Sequence, residues 1–307
     1  MKKNIYLLLP LSIIATSCTP TNVSDISILC PTGAPSLAFY NYAEYENFET
    51  NSSPANIVSS MTENGTDFVV IDTIKGVSAI NNGAPYKLAA TITFGNFYLV
   101  STGNDQNNTL DADDVIISFG KGQTPEKVFN LLYGQQYTNI HYVDNLQMAG
   151  KCLISKKTID NSLDVDYVFV AEPVLTNCLK QNSDASIYHN IQELYKEKTN
   201  SEMIQASIFI KNTVNEDTYR YHLDSISKDI QKVLEEPTLL NKTVNSIGDE
   251  QFTNKFSIGA NVAISCFNNN NSIGLGFKYA YENKQAIVDF CSLFNMEVTD
   301  NEILQIK

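Results

Sequence analysis

Short apolar runs alternate with amphipathic segments along most of this 307-residue chain. Residues 25–30 read as a strand, and the turn Pro31-Thr32-Gly33-Ala34-Pro35 leads into a helix over 36–45 whose start is marked by Pro and Ser. A helix near 55–63, a strand over 67–72 and a helix over 73–81 complete a strand-helix alternation. The run Phe68-Val69-Val70-Ile71 shows no polar alternation, the pattern of a strand in a sheet covered by helices on both faces. Residues 87–100 form a long extended stretch broken at Gly95, as expected of a strand that leaves one sheet and enters another. The theme then restarts: a strand over 115–119, a turn over 120–125, a helix over 126–132, a strand over 140–143, a helix near Leu146 and a strand over 167–170. A return strand over 206–211 precedes the longest helix, 216–235, capped by Asn215 and ended before Pro237. A helix near 239–247, the Asn-rich loop 268–271, a break at Gly274-Leu275-Gly276 and a final helix over about 279–294 finish the chain. The pattern predicts two α/β lobes, with the chain crossing between them near Leu99-Val100 and again near 207–211.

Composition narrows the class. Hydrophobic residues make up 43% and charged residues 18%, ordinary globular values. With 21 basic and 34 acidic side chains the formal charge is −13, and no basic cluster exists to displace counterions from phosphates, so no nucleic-acid partner is expected. The N-terminus has its own logic. Met1-Lys2-Lys3, the apolar run 5–15 and Thr16-Ser17-Cys18 form a charged, apolar and small-residue series, which predicts a secretory signal over 1–17. The run is too short to cross a bilayer, which takes roughly 20 residues. Cys18 stands where the lipobox of a bacterial lipoprotein places its acylated cysteine, with 18–24 as a polar tether. Removal of 1–17 would take Lys2 and Lys3, the only charged side chains there, and leave 19 basic against 34 acidic, a formal −15.

Other chemistries find little support. Beyond Cys18 five cysteines remain, an odd number without a CxxC pair, which reads as buried small hydrophobes rather than a disulfide scaffold or a zinc site. The acidic stretch 111–114 lacks the glycine and the bidentate glutamate of a calcium loop and reads as a solvated turn. The turn 120–125 lacks the terminal Gly-Lys-Ser/Thr of a P-loop. His141, expected at a strand start, and His189 and His222, expected on helix faces, show no metal or hydrolase spacing. No metal, cofactor or catalytic residue is predicted.

The lipobox-like cysteine, the Pro-Thr-Gly-Ala-Pro-Ser turn after the first mature strand, the segment Asp67-Phe-Val-Val-Ile-Asp72, and Ala171-Glu172-Pro173-Val174 after another strand together resemble one group. They are similar to the substrate-binding lipoproteins of ABC importers, in the branch associated with nitrate, sulfonate, bicarbonate and thiamine-precursor uptake. The resemblance implies a type II periplasmic-binding fold: two α/β lobes, a two-strand hinge and a ligand in the cleft between them. Lobe I would comprise 25–98 and 207–307, and lobe II 99–206. The protein would then be a monomer, lipid-anchored at the extracytoplasmic face of the cell membrane, that takes a small-molecule ligand and delivers it to an ABC permease.

In such sheets ligands sit at the carboxyl ends of strands, where loops and helix N-termini converge. That rule nominates Thr32, Gly33, Ala34, Pro35 and Ser36, then Asp72 and Thr73, then Thr93, Gly95 and Asn96 at the crossing. On the second lobe it nominates Gly122, Gln123 and Thr124, with Glu172 and Pro173. Glycine allows close backbone approach, and free helix N–H groups favour an anion or a carbonyl oxygen. Asp72 serves either as a helix cap or as a ligand contact, and Phe94 and Phe97 read more as core than as a stacking pair. Lys75 and Lys121 are the only basic side chains in these loops, which favours a neutral or singly charged ligand over a multiply charged anion. An enzyme on the same two-lobed fold and a surface adhesion lipoprotein are the rival readings.

Overall fold

A computed structural model describes residues 26–306 apart from 64, 106 and 108. The expected signal, Cys18 and the tether lie outside the described residues. In chain order, β1 (Ile28–Pro31), β2 (Phe48–Asn51), β3 (Phe68–Asp72) and β4 (Tyr86–Thr93) precede β5 (Phe97–Ser101), β6 (Ile116–Phe119), β7 (Ile140–Val143), β8 (Tyr167–Ala171) and β9 (Ser186–Asn190), and β10 (Ala206–Lys211) and β11 (Leu275–Tyr279) come last. They form two sheets, of order β11-β4-β10-β3-β1-β2 and β7-β6-β8-β5-β9. Each sheet has a parallel part, β2-β1-β3 or β7-β6-β8, and an antiparallel part supplied by strands adjoining the crossings. The chain leaves the first sheet after Thr93 and enters the second at Phe97. It returns between Asn190 and Ala206, so Leu99 and Val100 lie inside the second sheet and Ser207 inside the first.

Helices cover both sheets. They are α1 (Pro54–Thr62), α2 (Thr73–Asn81), α3 (Thr124–Tyr133), α4 (Leu146–Ser155), α5 (Val174–Leu179), α6 (Ile191–Thr199), α7 (Glu216–Glu235), α8 (Leu240–Ile247), α9 (Asp249–Phe256), α10 (Ala260–Asn268) and α11 (Lys284–Ser292). Polar side chains start several of them: Ser53, Asp72, Asn145, Asn190 and Asn215 each accept a hydrogen bond from a first-turn N–H. In α7 the buried Tyr219, Leu223, Ile226, Ile230 and Val233 recur at helical spacing along one face.

Strand alternation sorts side chains into separate layers. Phe68 and Val70 of β3 join one core with α7 to α10, whereas Val69 and Ile71 face another. That second core also takes Leu99 of β5 and Tyr167 and Phe169 of β8, so one apolar layer runs through both lobes. A third lies on the far face of the second sheet, around Val100, Val168 and Val170.

Several expectations shift. The segment expected as a helix over 36–45 is a 3-10 helix, Ala34–Tyr42, kinked at Phe39. The stretch 87–100 does break at Gly95 and pass from one sheet to the other, as β4 and β5. Strands β2, β9 and β11 and helices α6, α9 and α10 are not legible in the pattern, and His189 sits in β9 rather than on a helix. All five described cysteines are buried and free.

Candidate functional site

The carboxyl ends of strands from both sheets face one cavity of about 760 Å3. From the first lobe, Thr32, Gly33, Ala34 and Pro35 line it in the turn after β1, Asp72 at the end of β3, and Thr93 at the end of β4. Asn96 lines it at the crossing. From the second lobe come Gly122, Gln123 and Thr124 at the start of α3, and Glu172 and Pro173 after β8. Gly122 sits at φ 75° with open space where a Cβ would stand, so its backbone forms bare wall.

Three nominated residues are elsewhere. Ser36 is fully buried and its hydroxyl donates to the Gly33 carbonyl at 2.7 Å. Thr73 is fully buried against Ser207, hydroxyl to hydroxyl at 2.8 Å. Gly95 faces a separate, smaller cavity on the other side of the crossing, with Gln192 and Asn271. In each pair of neighbours one residue meets the cavity and the other is turned away from it, an outcome that needs the local backbone path.

Asp72 does both things asked of it. Its Oδ1 accepts the Lys75 N–H at 3.1 Å, capping α2, and its Oδ2 accepts the Thr124 hydroxyl at 3.3 Å across the cleft. Burial pushes its carboxyl above the usual aspartate range, opposed by the Lys75 N–H, the Lys75 charge and the Thr124 hydroxyl. Asp72 and Thr93 both pair with Ala206 of β10, so strand register brings them and the adjacent Gln205 to one patch of the cavity floor. The amide of Asn96 donates to the Glu172 carbonyl at 2.9 Å, and its oxygen accepts from Gln205 Nε2 at 2.9 Å. That relay leaves Gln205 Oε1, together with Thr93 Oγ1, buried and without a protein partner.

Glu172 is held differently. It is 2% exposed, and its carboxylate accepts from the Thr176 hydroxyl at 2.8 Å, the Thr176 N–H at 2.9 Å and the Ser272 hydroxyl at 2.9 Å. The Tyr98 hydroxyl donates to the Ser272 carbonyl at 2.9 Å, and the Phe94 N–H to the Gly274 carbonyl at 2.9 Å. This network joins β5 and α5 of one lobe to the turn after α10 of the other.

Sequence reasoning missed part of the wall. Gln205 precedes β10 as a polar residue at a strand start, a signal available but weak. Lys127 lies one turn into α3, whereas Lys121 stands over the Tyr142 ring at 5.4 Å, off the wall. Phe294 and Met296 reach the cavity from the far end of the chain, with no local signal to announce them. Ile71, Phe97 and Phe119 make the wall strongly apolar. None of the three histidines lines it: His222 is buried against Tyr42, His189 stacks on Tyr133, and His141 bonds Asn139.

No known protein family and no curated protein matches the chain. Solved structures do. An ABC transporter protein from Parabacteroides distasonis is 19% identical, with a TM-score of 0.72 over 92% of this chain and 100% of that one. The periplasmic aliphatic sulphonate-binding protein of Escherichia coli is 12% identical, with a TM-score of 0.63 over 92% of each chain. The ligand-binding component of an ABC-type import system from Staphylococcus aureus is 9% identical, with a TM-score of 0.62 over 91% of this chain and 96% of that one. The chain has the periplasmic-binding fold. In this periplasmic-binding fold the two crossings, 94–96 and 200–205, meet at the cavity floor: the Gln205 N–H donates to the Thr93 carbonyl at 3.0 Å, and the Gln205 carbonyl accepts from the Thr73 N–H at 3.0 Å.

Proposed function

We propose that this protein is an extracytoplasmic solute-binding lipoprotein that captures a small molecule in the cleft between its lobes and delivers it to an ABC permease. The observation that carries the reading is the cavity itself, walled from both sheets and bridged at one point by the Thr124 hydroxyl on Asp72. Walls on separate lobes make contacts to a solute that are complete only when the lobes are together, so binding and closure are coupled. Cys18, acylated after removal of 1–17, tethers the body to the membrane. Among the described residues no helix is long and apolar enough to cross one.

Two measurements test this. Solution scattering of the mature chain, with and without the native-host metabolite pool, is expected to show a smaller radius of gyration on ligand addition, with mass spectrometry identifying the retained solute. An unchanged radius and an empty spectrum would refute the solute-binding reading. Labelled palmitate is expected to enter the wild-type chain in a bacterial host and not Cys18→Ala. Equal labelling of the two would refute the anchor.

A further inference from the structure

The cavity presents acceptors where an anion site would present donors. Four helical segments on its wall carry at or beside their start a proline, which has no N–H to offer: Pro54 is the first residue of its helix, Pro35 and Pro125 are second in theirs, and Pro173 immediately precedes Val174. Several other N–H groups are already taken. Lys75 N–H goes to Asp72, Met148 N–H to Asn145 and Thr176 N–H to Glu172. The two glycine turns give theirs to Phe256 O and to Glu126 Oε2. Part of the donor capacity at these helix starts is therefore removed by proline or engaged by the protein's own oxygens. Lys75 and Lys127, the cations on the wall, are matched in number by Asp72 and Glu172.

The floor shows the complementary deficit. Thr93 is 1% exposed, and its Oγ1 has no partner. Gln205 Oε1 is also unpartnered, and its identity as oxygen is fixed by the relay, because Asn96 must donate to the Glu172 carbonyl and so must accept from Gln205 Nε2. Asp72 lies in the same patch by strand register, and its carboxylate makes no ion pair among the described residues. Buried polar atoms without partners are rare in folded proteins; Gln205 Oε1 can only accept, the Thr93 hydroxyl can accept or donate, and the Asp72 carboxylate, with one donor on each oxygen, has lone pairs to spare, so a donor would serve all three.

Resting on the solute-binding role above, we propose that the ligand is an organic solute with a hydrogen-bond-donating nitrogen (amino, ammonium or amidinium) seated on Asp72, Thr93 and Gln205, and an apolar body against Ile71, Phe97 and Phe119. This makes the floor a donor-reading subsite and sets it against inorganic oxyanions and simple sulfonates.

The test uses benzamidine and benzoate, which share shape and differ in donor against acceptor character, titrated to millimolar concentration into the full mature chain and followed by amide chemical shifts. Benzamidine is expected to bind at least about tenfold more tightly than benzoate. Asp72→Asn, whose side chain still caps α2, is expected to abolish that preference. Thr93→Val removes an oxygen with no protein partner, so it keeps the melting temperature while weakening benzamidine roughly fivefold. A preference for benzoate, or a benzamidine preference that survives both substitutions, overturns the donor-reading floor and leaves the solute-binding reading intact. No shift of cleft residues with either probe also overturns the donor-reading floor, while the solute-binding reading stands or falls on the scattering and mass-spectrometry result above.

Discussion

The two lobes touch across the cleft and again beside the crossings, and the contacts are built to opposite specifications. At the cleft a single hydroxyl, Thr124, reaches Asp72 at 3.3 Å. Beside the crossings Glu172, which also lines the cavity, takes three hydrogen bonds at 2.8–2.9 Å, Tyr98 and Ser272 add another, and Gly274 lies against the Gly95 carbonyl. A long hydrogen bond between neutral hydroxyl and half-satisfied carboxylate gives little net stability, whereas breaking a satisfied, buried carboxylate network strands several polar groups at once. On the proposed closure of the lobes, the difference assigns the Glu172 contact the part of a pivot and the Thr124 contact that of a weak latch.

Breaking the pivot should cost most. In Gly274→Val the added Cβ would fall within the radius of the Gly95 carbonyl, and the residue would be held at φ 68°, strained for a β-branched side chain. We expect loss of soluble folded protein, or a fall in melting temperature of roughly 10 °C or more by circular dichroism. Glu172→Ala leaves the Thr176 and Ser272 groups without their acceptor, and should lower unfolding free energy by about 3 kcal/mol in urea titration. Thr124→Val, at the latch, should cost about 0.5 kcal/mol or less in the same assay. If it cost as much as Glu172→Ala, the distinction between pivot and latch would collapse.

The smallest effect has the opposite sign. Burial raises the Asp72 carboxyl above its unfolded value, so the stability that goes with its protonated form is present at acid pH, below the ordinary aspartate range, and is lost as pH rises through the folded value. Asp72→Asn keeps a cap on α2 and removes that loss. The ligand-free variant should therefore melt slightly above wild type at neutral pH and level with it at acid pH. A variant less stable than wild type at neutral pH would show that the ionised carboxylate supports the closed cleft.

Much of the fold was legible because its signals are local. The run Phe68–Ile71, the Asp72 cap and the Asn215 start of α7 each declare an element within a few residues. β9 and β11 were not, since the first is a short half-exposed edge strand and the second is interrupted by Gly276. The rule that ligands gather at strand carboxyl ends brought most nominated residues onto one wall, yet it could not separate Asp72 from Thr73 or Asn96 from Gly95. Neighbours in a turn differ only in which way the backbone aims them.

The amino-acid sequence by itself determined the alternation of strand and helix, the polar caps, the prolines at helix starts and the scarcity of basic side chains, because these act through neighbours within a turn or two. Only the tertiary structure decided that Phe294 and Met296 reach the cleft, that Ser272 meets Glu172, and that Thr93 and Gln205 keep unpartnered oxygens. Whether a polar atom is satisfied depends on groups a hundred or more residues away, brought near by sheet register, and no local pattern carries that information.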